Sequence, residues 1–109
     1  MPTVLIVDDS ATVREMVSEQ LRKSGFIVVE AVDGEEAIAK IQATPPDLVV
    51  TDIVMPRKNG YELCRWLKND PKTKNIPVVM CTSKSEEFDV YWGMKQGADA
   101  YITKPYHPP

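Results

Sequence analysis

The chain has 109 residues, 43% of them hydrophobic, enough for one domain around one core. Its 13 basic and 16 acidic residues leave a formal net charge of -3, which argues against a nucleic-acid-binding face, because neutralising phosphates needs a basic surface. MPTVLIVDDS at the N-terminus lacks the basic leader of a signal peptide, and no apolar run approaches the ~20 residues that span a bilayer. Cys64 and Cys81 lie in apolar stretches without a CxxC spacing, as expected of buried thiols in a cytoplasmic domain.

In chain order, residues 4–7 form a short apolar run that ends abruptly in Asp8-Asp9. Val13, Met16, Val17 and Leu21 then recur at helical spacing, with Ser10 available as N-cap and Gly25 just past the end. A second apolar run covers 26–29, and Ala37, Ile38 and Ile41 give a second helix behind Asp33, with Glu36 placed as in a capping box. A third run at 48–50 leads to Thr51-Asp52. Asn59 with Glu62 opens a third helix carrying Leu63, Trp66 and Leu67. Runs at 78–80 and 100–102 flank a fourth helix predicted from 85 to 96, stopping at Gly97. Residues 106–109 read as non-helical. Apolar residues at consecutive positions mark strands covered on both faces. The alternation therefore predicts an α/β fold: a doubly wound, five-stranded parallel sheet in the order 2-1-3-4-5.

Sites in such sheets lie outside the carboxyl ends of the strands. The first strand ends in Asp8-Asp9, the third in Thr51-Asp52, the fourth in Thr82-Ser83 and the fifth in Thr103-Lys104-Pro105. The second contributes only Glu30. Each residue alone has a plainer reading: a helix cap for the Asp pair or Ser10, a loop residue for Asp52, a surface lysine for Lys104. Their convergence on one edge favours chemistry. Three carboxylates repel one another unless a cation intervenes, and oxygen ligands without His or Cys suit Mg²⁺. A divalent cation and Lys104 would place positive charge where phosphoryl oxygens arrive, with the Thr82 hydroxyl as a hydrogen-bond donor and a carboxylate as nucleophile.

VLIVDDS, DLVVTDIVMPRKNGYEL, PVVMCTS and GADAYITKPY together resemble bacterial response-regulator receiver domains over nearly the whole chain. The likeness is greatest to the compact single-domain members related to the chemotaxis response regulator. It implies a flavodoxin-like fold and a two-component phosphorelay function, with Asp52 as phosphoacceptor. Asp9 would ligate Mg²⁺ directly beside Asp52 and the backbone carbonyl of Val54, with Asp8 acting through water. Thr82 would be the switch hydroxyl, Tyr101 the aromatic that follows it, and Lys104 the partner of the phosphate. The implied donor is a phosphohistidine on a sensor histidine kinase or phosphotransfer protein. The implied output is a change on the face of the fourth helix, fourth strand and fifth strand, without enzymatic activity beyond self-phosphorylation and autodephosphorylation.

Several positions depart from the family pattern. Lys58 replaces a common hydrophobic residue and is expected to point to solvent. Val54 and Lys84 occupy positions that modulate water access to the acyl phosphate, and Tyr106 stands for the usual phenylalanine. The family's fifth helix, of about three turns, is missing after Pro109, so residues 1–109 read as a receiver domain truncated after the fifth strand. The alternatives to truncation are that neighbouring chains cover the exposed sheet surface as a homo-oligomer or that the fold rearranges locally. Phe88, Tyr91 and Trp92 share one face of the fourth helix; core packing is the plain reading for each, with Tyr91 or Trp92 expected to be partly exposed at a partner surface. Two alternatives stand beside the receiver reading. A haloacid-dehalogenase-type phosphatase also forms an aspartyl phosphate with Mg²⁺, but needs its nucleophile on the first strand with a second Asp two residues on, a spacing Asp8-Asp9-Ser10 lacks. An inactive scaffold would keep the fold without the chemistry.

Overall fold

The computed structural model describes residues 2–55, 57–82, 94–95 and 97–103. Its elements run β1 (Thr3–Val7), α1 (Ala11–Lys23), β2 (Ile27–Ala31), α2 (Gly34–Ala43), β3 (Leu48–Thr51), α3 (Gly60–Asn69), β4 (Val78–Thr82) and β5 (Ala100–Thr103). Every neighbouring pair of strands is parallel, and the order is β2-β1-β3-β4-β5, as predicted. Of the predicted fourth helix, Met94 and Lys95 are described and are helical; Phe88, Tyr91 and Trp92 lie outside the described residues.

The consecutive apolar residues of β1 serve two cores. Leu5 and Val7 point to one face, where they pack with Ile41 of α2, Leu63 and Leu67 of α3, and Val49, Val78 and Met80. Val4 and Ile6 point to the other, where Val17 of α1 closes over them with Val13 and Leu21. A strand buried on both sides has no polar face to alternate, which is why periodicity of two is absent from 4–7.

The helix starts follow their caps. The Ser10 hydroxyl accepts from Val13 N at 3.3 Å, and Asn59 and Glu62 form a reciprocal capping box. At α2 the pattern differs from the predicted box. Asp33 accepts from Glu36 N at 2.8 Å, but the Glu36 carboxylate reaches past the cap to Val32 N at 3.0 Å. Strand β2 also sits later than the predicted 26–29. It is an edge strand, and Glu30 is tolerated inside it because Arg14 and Arg22 of α1 reach its carboxylate at 3.3 and 3.7 Å.

Candidate functional site

Parallel pairing of β1 with β3 sets Val7 beside Thr51, so the next residues, Asp8 and Asp52, emerge together where the strand order reverses. The ladder continues one step beyond the strands. Asp52 N donates to Val7 O at 2.9 Å, and Asp8 N donates to Ala31 O at 3.1 Å. These bonds fix the backbone under both carboxylates. Asp8, Asp9 and Asp52 bring carboxylate oxygens within 4.8 Å of one another, a group able to hold a metal ion.

The three differ in setting. Asp8 is buried, Asp9 exposed and Asp52 half-buried. Asp8 Oδ1 accepts from Ser10 N at 2.9 Å, while its carbonyl accepts from Arg14 Nη1 at 2.7 Å. Arg14 Nε also donates to Glu30 Oε1 at 3.3 Å, tying the acidic turn to β2. The cap reading of this turn and the metal reading thus coexist: Ser10 caps α1 while the aspartates face one another. Asp52 Oδ1 accepts from Ile53 N at 2.7 Å, and the Thr51 hydroxyl donates to the Asp52 carbonyl at 2.8 Å.

The loop leaving Asp52 returns at once. Gly60 N donates to Ile53 O at 2.9 Å, and the approach is so close that a Cβ at Gly60 would lie 2.2 Å from the Asp52 carbonyl oxygen. Val54, on this loop, is 61% exposed. Lys58 is half-buried. Its backbone sits on the start of α2, where Gly34 N donates to Lys58 O at 3.2 Å. Thr82 and Thr103 are register partners at the ends of β4 and β5, and Tyr101 is half-buried against the larger core cluster. Lys84, Lys104 and Tyr106 lie outside the described residues.

Two features were not singled out from the sequence: the Arg14 brace and the contact of Arg57 with Asp33, whose signal is no more than a lone arginine near Asp52 and a cap aspartate. Asp33 is held below the ordinary aspartate range first by the backbone N–H of Glu36, then by Arg57, against the opposing effect of burial. Burial pushes the Cys64 thiol up to about 11, and Cys64 and Cys81 are both buried and free of disulfides.

The sequence model of the response regulator receiver domain matches residues 4–109. The chain is 43% identical over 103 residues to protein PilG of Pseudomonas aeruginosa, covering 94% of this chain and 76% of PilG. It is 44% identical over 106 residues to the phosphate regulon transcriptional regulatory protein PhoB of the same organism, covering 97% of this chain but 46% of PhoB, less than half its length. Chemotaxis protein CheY4 of Vibrio cholerae superposes with a TM-score of 0.93 at 35% identity, covering 99% of this chain and 90% of that one. The chain belongs to the response regulator receiver domain family, whose function is to accept a phosphoryl group from a histidine kinase in two-component signalling. The phosphatase and scaffold alternatives are not favoured by these matches. No helix among the described residues is long and apolar enough to cross a membrane.

Proposed function

We propose that Asp52 is the phosphoacceptor of a receiver domain spanning 1–109, receiving its phosphoryl group from a phosphohistidine on a sensor kinase or phosphotransfer protein. The observation that carries this reading is the meeting of the Asp8, Asp9 and Asp52 carboxylates within 4.8 Å at the switch point between β1 and β3. An Asp52 carboxylate oxygen attacks phosphorus as the phosphorus–nitrogen bond to the donor imidazole breaks, giving an aspartyl phosphate and free histidine. Water later cleaves the acyl phosphate, which limits the catalysis to the domain's own phosphorylation and dephosphorylation.

The donor set, aspartates joined by a backbone carbonyl, fits Mg²⁺, a hard cation that keeps several waters. Asp9, Asp52 and the Val54 carbonyl would hold it directly and Asp8 through water. Bound there, the ion would neutralise charge on the transferring phosphoryl oxygens. Lys104 would pair with the phosphate and the Thr82 hydroxyl would donate to it. Half-buried Tyr101 would then follow Thr82, passing the change to the face of the fourth helix, β4 and β5, where an output partner binds. The domain would act in the cytoplasm with its kinase and make no direct contact with nucleic acid. Self-association belongs to the same reading: an apolar hollow of about 170 Å³, lined by Val17, Leu21, Val50, Val79 and Ile102 among others, opens on the α1 face of the sheet.

Peptide mapping after incubation with acetyl phosphate and Mg²⁺ tests the assignment. Label on Asp52 is expected. Label on Asp8 would point instead to phosphatase-type chemistry, and no label at all to a scaffold.

A further inference from the structure

The loop between β3 and α3 has two ties. Its base is closed by the bond from Gly60 N to Ile53 O at 2.9 Å. Its tip, Arg57 and Lys58, is docked on residues 33 and 34 at the start of α2. Arg57 Nε donates to Asp33 Oδ2 at 2.7 Å, and Nη2 lies 2.5 Å from the same oxygen. Beside it, Gly34 N donates to Lys58 O at 3.2 Å, and a Cβ at Gly34 would stand 2.4 Å from that oxygen, so only glycine admits the approach.

The tip is not held there by its own preference. Arg57 has φ 62°, a left-handed conformation that is unfavourable for a non-glycine residue. The guanidinium is largely exposed, but its partner is not: the Asp33 side chain is 3% exposed. A buried carboxylate accepting from both Glu36 N and Arg57 is well fixed. Met55 is buried in the core and keeps the loop from lifting away as a whole. What remains to vary is the backbone around Val54, which lies between the two ties.

We propose that Arg57 is a positioning residue for the metal site, latching the loop to Asp33 so that the Val54 carbonyl is presented to the cation held by the aspartates. The latch rests on the proposed role of Asp52 and Val54. It touches neither the ion nor the phosphoryl group, and it acts by removing freedom from the loop before the ion arrives.

Calorimetric titration of Mg²⁺ into the full chain tests it, alongside thermal denaturation. Arg57→Gly suits the left-handed backbone and removes the guanidinium with the rest of the side chain. It is expected to weaken Mg²⁺ binding about tenfold, the lower end for outer supports of a metal site, while Tm stays near the wild-type value. Arg57→Lys should recover part of the affinity, and Asp33→Asn, which keeps a good cap, should match Arg57→Gly with no further loss in the double variant. Unchanged affinity in Arg57→Gly would overturn the proposal, whatever its Tm. A parallel fall of Tm and affinity, not relieved by Arg57→Lys, would make the contact merely structural and overturn it equally. If the wild type binds no Mg²⁺, or binds it as well after Asp52→Asn, the reading of the site fails and the latch falls with it.

Discussion

Gly60 leaves no room for a side chain, because the obstacle is backbone. The nearest atoms to a Cβ there are the Asp52 carbonyl oxygen at 2.2 Å and the Ile53 Cα at 2.9 Å, and neither moves without disturbing Asp52. Gly60→Ala is therefore expected to cost roughly 2–3 kcal/mol, the upper part of the range for forced overpacking, measured by urea denaturation. Phosphorylation should suffer with it, since relief of the clash displaces Asp52. Ser18 presents the opposite case. It is fully buried on α1, and its hydroxyl has no hydrogen-bond partner among the described residues. An unsatisfied buried hydroxyl costs about 1–3 kcal/mol, and alanine is also the better helix former. Ser18→Ala should raise Tm; a fall of several degrees would mean that the hydroxyl does pair in solution.

At the scale of elements, two carboxylates fasten the secondary structure to its neighbours. Asp33 caps α2 and receives Arg57, while Asp99, just before β5, accepts from Val78 N at 2.8 Å and from Lys68 Nζ at 3.1 Å. The Val78 N–H is the first cause of the downward shift at Asp99, with Lys68 adding to it against burial. For both, the folded-state value lies below the unfolded one. The stability they contribute is fully present above the unfolded value, roughly pH 4, and is lost as pH falls through the lower folded value. Denaturation midpoints should accordingly drop on acidification below that point, and Asp99→Asn should flatten the fall; an identical profile in the variant would refute the assignment. The same elements show how far the sequence could be read. Asp8, Asp9 and Asp52 were legible because each ends a strand, and a parallel sheet gathers strand ends on one edge. The caps Ser10, Asp33 and Asn59 were legible because capping is local. Arg57 with Asp33 and Arg14 with Glu30 were not: these contacts span 24 and 16 residues and leave no periodic trace. The backbone contact of Lys58 with Gly34 was illegible for the same reason, since it depends on how a loop and a helix start happen to meet. β2 slid by up to two residues because an edge strand needs less apolar sequence than a central one.

For the whole molecule, the sheet order decides where chemistry is possible. The chain leaves β1 towards β2 and leaves β3 towards β4, with α1 and α3 on opposite faces, and the crevice where these connections diverge receives all three aspartates. The two cores pack beneath this edge, and the Arg14–Glu30 and Arg57–Asp33 contacts lie beside it. We propose that Asp52 takes a phosphoryl group at this crevice with the help of a cation held by its acidic neighbours. Intact-mass spectrometry of the chain incubated with acetyl phosphate measures it most directly. The mass of one phosphoryl group should appear with Mg²⁺ present, and should be absent with EDTA and in Asp52→Asn. Equal phosphorylation with EDTA, or a singly phosphorylated Asp52→Asn protein, would contradict it.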